Sequence, residues 1–437
     1  MKKVCVMGVA VVAAVVAWAE ALTFSITADR TNALYPCGQT ATFTVTALNA
    51  AGQNVSSGRV DYVVDNFGPC KVGEGQIDLA RANPFKVTGT LAEPGFLRLN
   101  LRTPDNTRPT VFGVGYEPEK LEKGSPSPAD FDAFWAQAVA HLDATVPADP
   151  QLQFQADRST GAFNFWRISF ATWGGTRVHG FLSIPKDAAA TKKYPVRFQV
   201  PAAGEGGWTN DMQGAPDAIC MLITVHPFVP ARDLDKLKEQ HRQNAQALKA
   251  RYGVGSYASA GIAKSREDYY FYRALLGINR AVEWLCACPE VDLTDFTYSG
   301  TSQGGGFGFY LLGLSRRFTR GVMFVPAITD TMGYLKNRQS GWPRIIENQR
   351  AEEKAAAERH APYFDGANFA SRITCPVRVV VGFADTTCAP CAVYAAFNAI
   401  RSTDKKIYHG IGMGHGCWGS FYQALGVWQR TGREPDL

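Results

Sequence analysis

Gly300-Thr301-Ser302-Gln303-Gly304 sets a serine between two glycines, and of all stretches in this chain its residue types and spacing best suit covalent chemistry. Phe296-Thr297-Tyr298 before it read as the end of a strand, and Phe307 to Leu314 after it are apolar enough for a buried helix. A sharp strand-to-helix turn holds a serine in a strained conformation with its hydroxyl presented, and side chains two positions away would collide there. Gly300 and Gly304 remove those side chains. The same turn aims the following amides, beginning with that of Gln303, at the space above the hydroxyl, where an oxyanion develops in acyl transfer. The pattern alone equally fits a glycine-rich turn with an incidental serine, so partners must come from elsewhere in the chain.

A serine hydroxyl attacks only when a base takes its proton and an acid orients that base. In α/β-hydrolase folds the chain order is serine, acid, histidine. Three histidines follow Ser302. His360 lies in a charged stretch and reads as a solvated surface residue. His409 and His415 flank Gly410-Ile411-Gly412-Met413-Gly414, after a strand expected from Lys406 to Tyr408. His415 is the preferred base because it sits deeper in this loop with glycines on both sides, and His409 is the alternative. For the acid, Asp385 follows Val379-Val380-Val381-Gly382-Phe383-Ala384 at the carboxyl end of a strand, where open α/β sheets build their sites. Asp330, after Val322 to Ile328, is the alternative. A second oxyanion donor is expected from the loop after an early strand. Phe198 to Trp208 is such a stretch, and Ala203 is the choice within it.

Residues 22–117 read as all-β. Leu22, Phe24 and Ile26 alternate with polar neighbours, as do Phe43, Val45 and Ala47, and Leu97, Leu99 and Leu101. Turn signals such as Glu93-Pro94-Gly95 separate short runs, which predicts a small immunoglobulin-like sandwich. Residues 118–128, ending Ser125-Pro126-Ser127-Pro128, have the composition of a linker. From 129 to 437 strands alternate with helices, the pattern of a doubly wound, mostly parallel sheet. A helix with Phe131, Phe134, Trp135 and Val139 at helical spacing opens this part, and Asp268 to Leu285 predicts a long amphipathic one. Residues 331–364 break the rhythm with charged helical sequence, an insertion placed to form a lid.

Lys2 and Lys3, the apolar run Val4 to Ala19 and the small-residue sites Ala17-Trp18-Ala19 and Ala19-Glu20-Ala21 give residues 1–21 the form of a secretory signal peptide. The run is short for a bilayer, which takes roughly 20 residues to span. A secreted or periplasmic protein is expected, with no membrane association after cleavage. The formal charge of +6 falls to +4 without Lys2 and Lys3, and no basic cluster interleaves with aromatics, which argues against nucleic acid as a partner. Of ten cysteines, Cys5 lies in the leader. Cys37 and Cys70 are positioned in sequence to staple the β region. Cys388-Ala389-Pro390-Cys391 lacks a second such pair, so no metal site is expected, and a disulfide to Cys417 or a pair of buried thiols are the readings.

From residue 129 onward the chain resembles the acetyl xylan esterases of carbohydrate esterase family seven, a group that includes cephalosporin C deacetylases. The resemblance rests on Pro128-Ala129-Asp130-Phe131-Asp132-Ala133-Phe134-Trp135, Val178-His179-Gly180-Phe181-Leu182, Asp268-Tyr269-Tyr270, Gly300-Thr301-Ser302-Gln303-Gly304-Gly305, Tyr363-Phe364-Asp365, Gly382-Phe383-Ala384-Asp385, Ala395-Ala396-Phe397-Asn398 and Gly414-His415. It implies a cofactor-independent deacetylase of acetylated sugars, with the triad on Ser302, Asp385 and His415. The oxyanion donors would fall on Gln303 and on Ala203, where most members carry tyrosine. The family's Arg-Gly-Gln element is missing near Val225-His226-Pro227-Phe228, and Gly416 stands where a glutamate usually follows the histidine. Those elements are thought to serve assembly, so a homo-oligomer stays open. A peptidase of the same fold and a non-catalytic glycan-binding protein are the rival readings.

Overall fold

The computed structural model describes residues 22–104, 108–204 and 212–437; the expected signal peptide and part of the loop after Ala203 lie outside them. Eight strands occupy the N-terminal part: β1 (Thr23–Ala28), β2 (Leu34–Tyr35), β3 (Ala41–Leu48), β4 (Arg59–Asp65), β5 (Lys71–Asp78), β6 (Phe85–Gly89), β7 (Gly95–Arg102) and β8 (Thr110–Tyr116). They form a sheet ordered β1-β3-β6 and another ordered β2-β8-β7-β4-β5. Strict alternation along β3 puts Ala41, Phe43, Val45 and Ala47 inside and the threonines between them outward, the period of a strand with one buried face.

Nine further strands build one mixed sheet. They are β9 (Gln151–Phe154), β10 (Phe163–Thr172), β11 (Thr176–Pro185), β12 (Tyr194–Val200), β13 (Ile219–Ile223), β14 (Val291–Thr301), β15 (Arg320–Phe324), β16 (Val377–Gly382) and β17 (Lys405–Gly410). Their order is β17-β16-β15-β14-β12-β13-β11-β10-β9. From β17 to β13 the pairs are parallel, while β11, β10 and β9 run antiparallel at the far edge. Strand β16 is buried at every position, as a central parallel strand covered on both faces must be. Among the described residues eight α-helices accompany the sheet: α1 (Phe131–Thr145), α2 (Leu234–Tyr252), α3 (Tyr270–Cys286), α4 (Gln303–Leu314), α5 (Lys354–His360), α6 (Gly366–Ala370), α7 (Pro390–Ala399) and α8 (Gly419–Thr431). Helix α4 is buried from Gln303 to Leu312, since it lies between the sheet and helices α3 and α6. Among the described residues no helix is long and apolar enough to cross a membrane.

The Pro/Ser-rich stretch behaves differently from a free tether. Leu121 is buried, the Lys123 ammonium donates to Asn368 and Ser127, and the Gly124 amide donates to Asp330. The insertion after β15 is mostly short turns with only the brief α5, and Gln339 and Arg344 within it donate to the Thr386 carbonyl at 2.9 and 3.1 Å. One hydrophobic core runs continuously from the N-terminal strands into the large sheet, with Phe67, Phe96 and Phe383 among its members.

The expected disulfides are absent: all nine described cysteines are free thiols. Cys37 follows β2 and Cys70 precedes β5, which are opposite edges of the five-stranded sheet, so the pair cannot meet. Cys388 and Cys391 are buried, the reading of them as interior thiols, and the Cys391 Sγ faces the Gln339 carbonyl at 3.6 Å.

Asp330 is fully buried and pairs with Arg338, Nη2 to Oδ2 at 2.8 Å. Burial raises its carboxyl above the ordinary range, and Arg338 and the Gly124 amide oppose that rise. Arg338→Ala leaves the charge uncompensated and is expected to cost about 3–5 kcal/mol at pH 7. Losing the guanidinium raises the folded-state value further while the unfolded chain still ionises at its ordinary value, so the deficit shrinks as pH falls towards 5. Urea unfolding of wild type and variant at the two pH values measures both effects.

Candidate active site

The β14–α4 turn determines the position of Ser302. The residue adopts φ 54° and ψ −116°, a left-handed conformation that strains any side chain larger than glycine. Three backbone bonds hold it there: its amide donates to the Phe324 carbonyl, and its carbonyl accepts from Gly306 and Ala327, each at 2.9 Å. A Cβ on Gly300 would lie 2.5 Å from the Gly304 backbone, and one on Gly304 would lie 2.0 Å from the Val200 carbonyl oxygen. The two glycines thus allow the turn to pass against itself and against the end of β12.

His415 and Asp385 reach Ser302 from the loops after β17 and β16. The His415 Nε2 lies 3.0 Å from the Ser302 Oγ, and its Nδ1 lies 2.9 Å from the Asp385 Oδ2. A carboxylate only accepts, so Nδ1 carries the proton and Nε2 is free to accept from the serine hydroxyl. Asp385 is fully buried, and its other oxygen accepts from the Thr387 and Cys388 amides at 2.8 and 2.9 Å. The acid and histidine loops are joined directly: Phe383 donates to the Gly410 carbonyl and Ala384 to that of Met413, both at 3.0 Å.

The alternatives sit elsewhere. The His409 Nε2 is 2.6 Å from the Tyr394 hydroxyl, and burial lowers its pKa to about 4, which keeps it neutral. Asp330 is committed to Arg338. His360, expected in solvent, is half-buried and its Nδ1 donates to the Ile262 carbonyl at 2.7 Å, because α5 packs back onto the chain before α3.

Gln303 opens α4, so its amide is among those an α-helix leaves without an internal partner. Its side chain is anchored, with Oε1 accepting from Tyr257 at 2.7 Å and Nε2 directed to the Pro201 carbonyl at 3.5 Å. Ala203 is half-buried just past β12, whose Val200 pairs in register with Gly300, so it stands at the same sheet end as Ser302. Glu205 to Trp208, the remainder of that expected loop, lies outside the described residues.

Two features escaped the sequence reading. Tyr257 is held among His226, Tyr270 and Phe271, and His226 stacks on Phe228 with ring centroids 4.8 Å apart. The stretch that lacks the Arg-Gly-Gln element thus supplies an aromatic wall behind Gln303, and burial keeps His226 well below the usual histidine range. The other feature is Cys388, whose Sγ lies within 4.8 Å of ligand atoms of Asp385 and His415. Burial and the Asp385 charge raise the Cys388 thiol well above its ordinary value, so it stays protonated.

Gly304→Ala forces the turn off the Val200 carbonyl. An ångström of misplacement at a reacting group costs on the order of 10²-fold. Labelling of Ser302 by a fluorophosphonate is expected to slow by about that factor, read by mass spectrometry over time.

Comparison with known proteins gives concordant results. The family model described as acetyl xylan esterase matches residues 117–428. The acetyl esterase Axe7A of Xylanibacter ruminicola is 29% identical over 379 residues, covering 86% of this chain and 82% of that one. The acetyl xylan esterase of Paenibacillus sp. R4 superposes with a TM-score of 0.57 at 20% identity, over 72% of this chain and 98% of the other. That of Thermoanaerobacterium sp. JW/SL YS485 does so at 0.56 and 19%, over 72% and 96%. At such identities the two structures speak for the fold alone, a mixed-sheet α/β esterase architecture. The family match spans well over half of the sequence and takes in the Ser302 turn and both partner loops: the chain belongs to the acetyl xylan esterase family and is a carboxylic ester hydrolase.

Proposed function

We propose that this protein is an exported serine esterase that removes acetyl groups from sugar hydroxyls, on oligosaccharides derived from xylan. The observation that carries the mechanism is the hydrogen-bonded series Ser302 Oγ, His415 Nε2, His415 Nδ1, Asp385 Oδ2, with its 3.0 and 2.9 Å contacts. The acetyl specificity and the carbohydrate leaving group rest on what the relatives are named for, and export rests on the pattern of residues 1–21. Residues 22–117 are read as an immunoglobulin-like sandwich and 129–437 as the catalytic unit.

Ser302 Oγ attacks the acetyl carbonyl as its proton passes to His415 Nε2. The Asp385 carboxylate stabilises the imidazolium and fixes its orientation. The Gln303 and Ala203 amides receive the oxyanion. As the tetrahedral centre collapses, the bond to the sugar oxygen breaks and that oxygen takes the proton from His415. Water, deprotonated by the same imidazole, then attacks the acetyl-serine, releasing acetate and restoring the hydroxyl.

Ser302→Ala is expected to lower kcat on acetylated xylo-oligosaccharides by at least about 10⁴-fold, and Asp385→Asn by about 10⁴-fold, with deacetylation followed by mass spectrometry. Wild-type rates from the serine variant would refute the reading. Turnover of peptide amides without acetate release would replace it with the peptidase alternative.

A further inference from the structure

The mechanism above uses only the large sheet, yet the loops carrying its acid and its base rest on the N-terminal strands. Phe96, in β7, is fully buried and meets Phe383 edge to face, with ring centroids 5.0 Å apart and an interplanar angle of 76°. Phe383 is also fully buried and stands two residues before Asp385. Beside it, β8 comes so near the same turn that a Cβ on Gly113 would lie 2.0 Å from the Phe383 carbonyl oxygen. Phe112, also in β8, reaches the histidine loop: its ring is 3.5 Å from where a Cβ on Gly412 would be. Contacts at the outer side repeat the pattern through the insertion. The Phe67 carbonyl accepts from the Gln339 amide at 2.6 Å, and the Gln339 side chain donates to Thr386, the residue after Asp385.

These contacts converge on one small unit. The acid and histidine turns are already bonded to each other through Phe383–Gly410 and Ala384–Met413. From the N-terminal side, Phe96 and the close approach at Gly113 brace the acid turn, and Phe112 braces the histidine loop. A binding module appended to an enzyme has no need to enter its core, whereas here the two parts share one continuous set of buried side chains. The rings are well suited to the task, since an edge-to-face pair fixes direction as well as distance.

We infer that the N-terminal sheets are a built-in support for the catalytic loops, and that Phe96, with the close backbone approach that Gly113 allows, positions Asp385 through Phe383. Both act on the relay and neither touches substrate. The inference rests on the roles proposed for Asp385 and His415. It predicts a particular kinetic signature: a shift of the acid by a fraction of an ångström weakens the transition state and leaves ground-state binding intact, so kcat falls and KM does not change.

The test is a full-length series, Phe96→Leu, Phe96→Ala and Gly113→Ala, with Ser302→Ala as the reference. Each is checked for a cooperative melt, then assayed on p-nitrophenyl acetate and on an acetylated xylo-oligosaccharide. The expected result is a graded loss of kcat, about 3-fold for the leucine and at least about 10-fold for the two alanines, equal on both substrates, with KM within about twofold. Fluorophosphonate labelling of Ser302 slows in the same order. Leucine preserves most of the ring's volume, so Phe96→Leu is expected to fold even where the alanines do not, and it then decides the matter alone. A folded variant with wild-type kcat overturns the inference, as does a rise in KM at constant kcat, which would make the N-terminal strands part of substrate binding. Full activity from Ser302→Ala would instead overturn the mechanism on which the inference rests.

Discussion

The structure depends on a crowded point where three backbone segments meet at one end of the sheet. Ser302 holds its strained conformation where β14 turns into α4, with Gly304 passing close against the Val200 carbonyl. A residue in that region of φ/ψ space is unfavourable by roughly 1–3 kcal/mol and persists only where its surroundings over-determine it. Here the surroundings are the three bonds to Phe324, Gly306 and Ala327, and the Tyr298 hydroxyl donating to the Gly304 carbonyl. With the turn fixed, the hydroxyl lies 3.0 Å from the His415 Nε2, and the loops after β16 and β17 are the elements that meet it there.

Those loops solve a problem of solvation. A carboxylate removed entirely from water is unfavourable by several kcal/mol unless donors surround it. Asp385 has two amides on one oxygen and the His415 ring on the other, so the observed orientation of the imidazole is also what makes the burial tolerable. The acid is therefore not an accessory to a preformed histidine. Each group is kept in place by the other's need for a partner, and the Phe383–Gly410 and Ala384–Met413 bonds close the arrangement.

Much of this was legible in the chain because local chemistry and global position agree there. The valine run at 377–381 has one plausible fate in a parallel sheet, and Asp385 follows it at the carboxyl end; the glycines about Ser302 and His415 mark turns where side chains do not fit. Helix α2 leaves little trace in the sequence, since only Leu237, His241 and Leu248 of its nineteen residues are buried and its stripe is too thin to stand out from a polar segment. The linker reading took Ser125 to Pro128 at face value, and composition does not show that Lys123 and Gly124 would find Asn368 and Asp330 more than two hundred positions away. His360 misled for the same reason: charged neighbours describe one side of a short helix, and the Ile262 carbonyl lies on the other.

The unpaired thiols bear on the export proposed for this chain. Of the nine described cysteines only Cys70 is well exposed, and burial raises Cys286, Cys288 and Cys375 to about 11 and leaves Cys388 higher still. Thiols that seldom ionise exchange and oxidise slowly. Among the described residues durability comes from packing without covalent stapling, and an oxidant meets Cys70 as the most open sulfur.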